Sequence, residues 1–104
     1  MSKFENIVAA IIENNEVADA ELKNSNEKIE TENVTVSAYG LAGYPSIETT
    51  FEEAASAASS VVAQYIEACE RMSNLDAYMF EVIIRSDEGK KLASIEVTLE
   101  KLYN

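Results

Sequence analysis

Two runs of alternating apolar and polar residues flank one turn tetrad near the end of this chain, and together they specify a β-hairpin. The runs cover residues 77–86 and 91–103, and the turn is Asp87-Glu88-Gly89-Lys90. Side chains on a strand alternate between faces, so a slip of one residue would invert a whole face. Pairing Asp87 with Lys90 sets Ile84 opposite Ala93, Val82 opposite Ile95, Phe80 opposite Val97 and Tyr78 opposite Leu99. All four apolar pairs then share one side. The slipped register would set Ser94 against Ile84 and Glu96 against Val82, and it is rejected for that reason.

An apolar sheet face needs a covering layer, and residues 50–73 supply one. Phe51, Ala54, Ala55, Ala58, Val61, Val62, Tyr65, Ile66, Cys69 and Met72 form one stripe at helical spacing. Thr50-x-x-Glu53 has the form of a capping box, Glu52 and Glu53 suit the positive end of the helix dipole, and Asn74 is expected to close the helix. Alanines 54, 55 and 58 let the first half lie close to a sheet. A shorter helix over 3–14 carries Phe4, Ile7, Val8, Ile11 and Ile12, with Ser2 and Glu5 as its capping box and Asn14-Asn15 at its end.

Residues 33–39 read as a strand, with Val34, Val36 and Ala38 on one face and Thr35, Ser37 and Tyr39 on the other. Residues 16–33 are ambiguous. Ala18 to Lys23 alternates as an edge strand does, while Ala18, Leu22 and Ile29 also fit a loose helical face; the strand is preferred. Gly40-Leu41-Ala42-Gly43-Tyr44-Pro45-Ser46 is a loop of unusually apolar content. The expected fold is a single α+β domain over 1–104. In it an antiparallel β-sheet, built from the C-terminal hairpin plus a central strand, is packed by one long amphipathic helix and a short N-terminal helix.

Composition narrows the function more by exclusion than by assignment. The 104 residues include 19 acids and 8 bases, a net charge of −11, with no histidine and one cysteine. Lack of histidine removes the commonest general base and metal ligand, and one cysteine cannot form an internal disulfide or a thiolate zinc site. Cys69 lies in the helical stripe with no histidine to activate it, which is the placement of a structural cysteine. No phosphate loop, dinucleotide fingerprint, metalloprotease motif, serine elbow or calcium loop occurs. No catalytic residues, cofactor or metal site are therefore expected. Arg71 and Arg85 are the only forks for phosphate, and the net charge repels DNA and RNA, so direct nucleic-acid binding is not expected. No apolar run reaches membrane-spanning length and the first residues lack a signal-peptide pattern, which points to a cytoplasmic protein.

Three features suggest binding surfaces. Residues 1–32 and 33–76 each carry a net −5 and residues 77–104 only −1, so the acidic field comes from the first two-thirds. Glu52, Glu53, Glu67 and Glu70 stand on the long helix as candidates to meet a basic partner. The outer face of the hairpin shows Met79, Glu81 and Ile83 on one strand and Glu96 on the other. Glu81 lies opposite Glu96, which costs stability unless a cation or water is near. That face is either an interaction or homodimer patch, or it is covered by the N-terminal helix. Tyr39, Leu41 and Tyr44 lie on or beside the glycine-hinged loop, where they either anchor a partner or fold back to plug the core; the plug is the expectation.

Small acidic α+β chains without catalytic residues are common among phage anti-defence factors, DNA mimics and toxin-immunity proteins, an analogy of composition alone. The functional expectation is a non-enzymatic inhibitor that occupies the basic, nucleic-acid-binding surface of a partner protein. The alternatives are an oligomeric structural or assembly protein, and a protein that sequesters a small nucleotide-like ligand.

Overall fold

The computed structural model describes residues 3–26 and 31–100. Helix α1 (Lys3–Asn14) leads into β1 (Val17–Ser25), then β2 (Asn33–Tyr39) and β3 (Ser46–Thr50). A 3-10 turn (Phe51–Glu53) opens α2 (Ala54–Cys69), and a second 3-10 turn (Leu75–Tyr78) precedes β4 (Met79–Ser86) and β5 (Lys91–Leu99). The strands form one antiparallel five-stranded sheet in the order β1-β5-β4-β2-β3. The C-terminal hairpin is thus inserted between β1 and β2. Its strands lie inside the sheet and are richest in Val, Ile, Leu and Phe, while the more polar β1 and β3 form the edges.

The hairpin register follows the apolar pairing. Phe80 faces Val97, Val82 faces Ile95 and Ile84 faces Ala93. The fourth expected pair does not form: Tyr78 closes the 3-10 turn, β4 starts at Met79, and Leu99 pairs with Val17 of β1 instead. Near the turn the register shifts, so that Arg85 meets Lys91 and Leu92 is the extra, buried residue. This bulge lets consecutive residues Leu92 and Ala93 both be buried, which a strictly alternating strand would not. The end of the hairpin at 101–103 lies outside the described residues.

Both helices cover one face of the sheet. Phe4, Ile7 and Ile11 of α1 and Ala54, Ala58, Val61, Val62 and Tyr65 of α2 share one cluster with Val34, Val36, Val82, Ile84, Ile95 and Val97. The helices are tied together where Ser59 Oγ donates to the Ala10 carbonyl and accepts from the Asn14 amide, both at 3.1 Å. Phe4 also meets the Phe51 ring at 5.5 Å between centroids. Ile12, placed in the α1 stripe by its spacing, is exposed: α2 covers only a narrow face of a helix twelve residues long.

The ambiguous stretch after α1 forms the preferred edge strand over 17–25, with Ala20 and Leu22 in register with Val97 and Ile95 of β5. Three further expectations are corrected. The loop 40–46 ends in a strand, β3, whose sequence Ser-Ile-Glu-Thr-Thr carries one apolar residue and is too short to show periodicity. Thr50 precedes the long helix but makes no side-chain cap bond, because the first turn is 3-10 rather than α. The helix stops at Cys69, not at Asn74, leaving Met72 beyond its end and exposed. Asn74 instead caps the second 3-10 turn, its Oδ1 accepting from the Asp76 N–H at 2.9 Å. The Ser2/Glu5 capping box falls outside the described residues.

No described element covers the other face of the sheet. A row across all five strands, Asn24–Ser94–Ile83–Ser37–Ser46, crosses its middle. Ile83, read either as part of an interaction patch or as covered by the N-terminal helix, is only 6% exposed although that helix packs on the other face, and Ser37 and Ser94 are buried beside it. The cause is an ion pair thrown across the row. Lys91 lies on one side of it and Glu81 on the other, and they meet at 3.5 Å. Ile83→Asp should accordingly be a folding defect, lowering stability by about 3 kcal/mol or more in urea unfolding, because it buries a carboxylate beside Glu81. Unchanged stability would mean that this row is open to water.

Candidate functional site

The expected site residues separate into one group that converges and one that does not. Glu52 and Glu53 lie at the start of α2 and Glu67 and Glu70 at its end, roughly 20 Å apart along the axis at 1.5 Å per residue. All four are exposed, and they form two separate acidic ends rather than a patch. Tyr39, Leu41, Tyr44, Met79, Glu81 and Glu96, by contrast, gather at one end of the sheet. Tyr39 follows the β2 ladder to its last pair, opposite Glu81, and Glu81 faces Glu96. Tyr39 and Tyr44 pack edge to face with centroids 5.1 Å apart. A cleft of about 530 Å³ is lined by Tyr39, Leu41, Met79, Glu81, Glu96 and Lys23.

The loop residues do not plug the core. Tyr39, Leu41, Tyr44 and Met79 are 54%, 59%, 51% and 51% exposed. The plug is Tyr65 of α2, which is fully buried and stacks on Phe80 at 4.1 Å between centroids. Its hydroxyl accepts a 3.2 Å hydrogen bond from the Ala42 N–H of the loop and donates a 2.8 Å bond to the Ala77 carbonyl of the second 3-10 turn. The Cys69 thiol donates to the same carbonyl at 3.4 Å, so the cysteine is structural and buried. With its core end already filled, the loop has nowhere to fold back to. Its large side chains stay outside on a backbone fixed from below.

Gly40 is a condition of this arrangement. A Cβ at that position would overlap the Tyr65 hydroxyl and come within 2.9 Å of the Phe80 Cβ. Gly40 also exchanges both backbone hydrogen bonds with Gly43, at 3.2 Å each, closing a tight loop in which Gly43 has φ 152°. The sequence contains a signal for the post beneath the loop. Tyr65 is the one phenol in the long helical stripe, and a buried phenol needs hydrogen-bond partners.

Three carboxylates, Glu21, Glu96 and Glu81, stand side by side on β1, β5 and β4. The cations needed to tolerate them come from the same face. Lys23 bridges Glu21 at 3.2 Å and Glu96 at 3.4 Å, and Lys91 pairs with Glu81. The hydrogen bond to Glu21, followed by its charge, raises the Lys23 pKa above the ordinary 10.5. Among the described residues no three carboxylate or thiol groups form a metal-binding cluster, and no helix is long and apolar enough to cross a membrane. The α1 helix lies on the opposite face of the sheet from this site and does not cover it. Comparison with protein-family models, with curated proteins and with solved structures finds no match to the chain.

Burial pushes the Tyr65 hydroxyl above its ordinary 10.0, with the Ala42 N–H partly offsetting this. The folded state therefore holds that proton more tightly than the unfolded chain. Its contribution is complete below pH 10.0 and is lost as pH rises through the folded value. Tyr65→Phe should flatten this part of the alkaline stability limb and cost about 1–3 kcal/mol in urea unfolding, since the Ala42 N–H loses its acceptor and the Ala77 carbonyl keeps only the weak Cys69 thiol donor. Gly40→Ala should cost about the same by overpacking. Wild-type stability in either variant would remove Tyr65 as the post under the loop.

Proposed function

We propose that this chain is a non-enzymatic binding protein that seats the Tyr39, Leu41, Tyr44 and Met79 cluster on a basic partner protein. In that role it occupies a surface the partner uses for nucleic acid. The observation that carries the reading is the exposure of four large apolar side chains, gathered at one end of the sheet, on and beside a loop that Tyr65 hydrogen-bonds at Ala42. Pre-ordered aromatic anchors lose little entropy on binding, and covering the exposed half of each adds on the order of 1 kcal/mol. A net charge of −11 supplies the long-range attraction to a basic surface and speeds the encounter.

The distribution of charge supports the same division of labour. Six carboxylates on or beside the helices, Glu5, Glu13, Glu52, Glu53, Glu67 and Glu70, are exposed against Lys3 and Arg71. Lys23, Arg85 and Lys91 stand instead on the sheet face. The separated acidic ends of α2 fit steering of the approach, while the apolar cluster fits the contact itself. Buried anchors at the centre of an interface carry most of its energy and peripheral charges mainly alter the association rate.

The test is capture from a cell lysate on the immobilised protein, with elution by salt and, separately, by added duplex DNA. Nucleic-acid-binding proteins released by both, and lost from Leu41→Ser and Tyr44→Ser columns, are the expected result. Glu67→Gln/Glu70→Gln should slow association without abolishing capture. Retention that neither salt nor DNA disturbs, or recovery of the chain's own copies alone, would overturn the proposal.

A further inference from the structure

The sheet has two edges, and they are built differently. The β1 edge is interrupted by two register shifts, between Val17 and Asp19 and between Leu22 and Asn24, and carries Asp19, Glu21 and Lys23. Bulges and inserted charges are the usual means of keeping an edge from pairing with another chain. The β3 edge has none of the bulges. It pairs with β2 in unbroken register over five residues, from Asn33–Thr50 to Ser37–Ser46, and holds a single charge, Glu48. No described strand or helix pairs with its outer side.

The direction of its free backbone groups follows from two hydrogen bonds. The Ala38 N–H donates to the Pro45 carbonyl and the Phe51 N–H to the Glu32 carbonyl, both at 3.0 Å and both in the β2–β3 register. Hydrogen-bonded pairs alternate along an antiparallel ladder, so Ile47 and Thr49 also turn their backbone groups toward β2. Ser46, Glu48 and Thr50 turn theirs outward. Three N–H donors and the carbonyl acceptors of Ser46 and Glu48 are thus presented at the spacing an added strand requires, while the Thr50 carbonyl is taken by the 3-10 turn that follows it. At this end of the sheet a hollow of about 490 Å³ runs from β3 inward across β2 to the hairpin turn, lined by Glu48, Glu53 and Asp87 together with Asn33, Thr35 and Thr50, and no cation is among its lining residues. The apolar cluster adjoins the other end, since Tyr44 and Pro45 lead straight into Ser46.

We infer that the outer edge of β3 docks an extended, lysine- or arginine-rich segment of a partner protein as an additional strand. The backbone of Ser46, Glu48 and Thr50 supplies the hydrogen bonds, and Glu48, Glu53 and Asp87 select basic side chains. The inference rests on the reading above for the partner's charge, while the location rests on the ladder geometry alone.

The probe is a capped ten-residue peptide alternating lysine and valine, titrated into isotope-labelled protein and followed by amide shifts and hydrogen exchange. The expected result is that the amides of Ser46, Glu48 and Thr50 shift and exchange more slowly. A glutamate–valine peptide, and a lysine–valine peptide N-methylated at alternate residues, should bind at least about tenfold more weakly, a difference of about 1.4 kcal/mol. Glu48→Pro removes an outward N–H together with the carboxylate and should weaken binding more than Glu48→Gln, which removes the charge alone. Glu48→Lys, which keeps the backbone, should weaken it through charge. Should the proline variant not fold, the methylated peptide still decides. Shifts centred elsewhere, indifference to N-methylation, or protection of the three amides in the free protein by self-association would each overturn the inference. Lysate capture without this peptide response would leave the function standing and remove the edge; the reverse outcome would do the opposite.

Discussion

The Tyr65 hydroxyl is the point on which the functional end of this molecule depends. A single phenol reaches from α2 through the core, lies flat on Phe80, and joins the 40–43 loop to the turn before β4. Both joined segments are irregular, and their backbone groups have few ladder partners of their own. A buried polar group is costly unless paired, so the same hydroxyl that needs partners also dictates where two loops must lie. Gly40 completes the constraint by giving the hydroxyl room. The exposed cluster of Tyr39, Leu41, Tyr44 and Met79 is a consequence: the space beneath it is already occupied.

A second constraint is that the described helices cover the sheet on one side only. Its helical face is predominantly apolar, whereas its open face must remain compatible with water. The protein meets this with small residues in the middle row and long charged ones on either side of it. Lys91 and Glu81 close over Ile83 and Ser94, and Lys23 answers two neighbouring carboxylates at once. Pairs as exposed as these contribute little energy individually. Their effect is to shield an apolar residue and to make a row of three glutamates tolerable. Two of the cations are thereby committed to this face, and the helical side carries most of the unanswered carboxylates.

Polarity also sorts the strands. The hairpin, with the most apolar content, takes the centre of the sheet, and the polar strands take the edges. One edge is protected by bulges and charges and the other is regular, so the two sides of the sheet are not equivalent toward other proteins. The regular edge begins where the apolar cluster ends. A partner strand along β3 would therefore run toward Tyr44, and the anchor and the ladder would belong to one continuous surface.

Much of this architecture was legible in the sequence, because the relevant signals are periodic and local. The hairpin register followed from face alternation, and the short helix, the central strand and the edge strand at 17–25 followed from their own patterns. The α+β class required only those elements. The opposition of Glu81 and Glu96, and its need for a cation, could be read from the register. Tertiary structure decided the rest. Strand β3 has five residues and one apolar side chain, so it exists only because β2 offers a partner. The long helix ended early because the chain had to turn at Cys69 to bring Ala77 beneath Tyr65, a demand absent from its stripe. Whether Tyr39, Leu41 and Tyr44 filled the core or faced water depended on what else filled it, and that residue lay more than twenty positions away. Ile83 was hidden by an ion pair between residues ten apart in sequence. Periodicity determines which face a side chain takes; only the packed neighbours determine whether that face meets water.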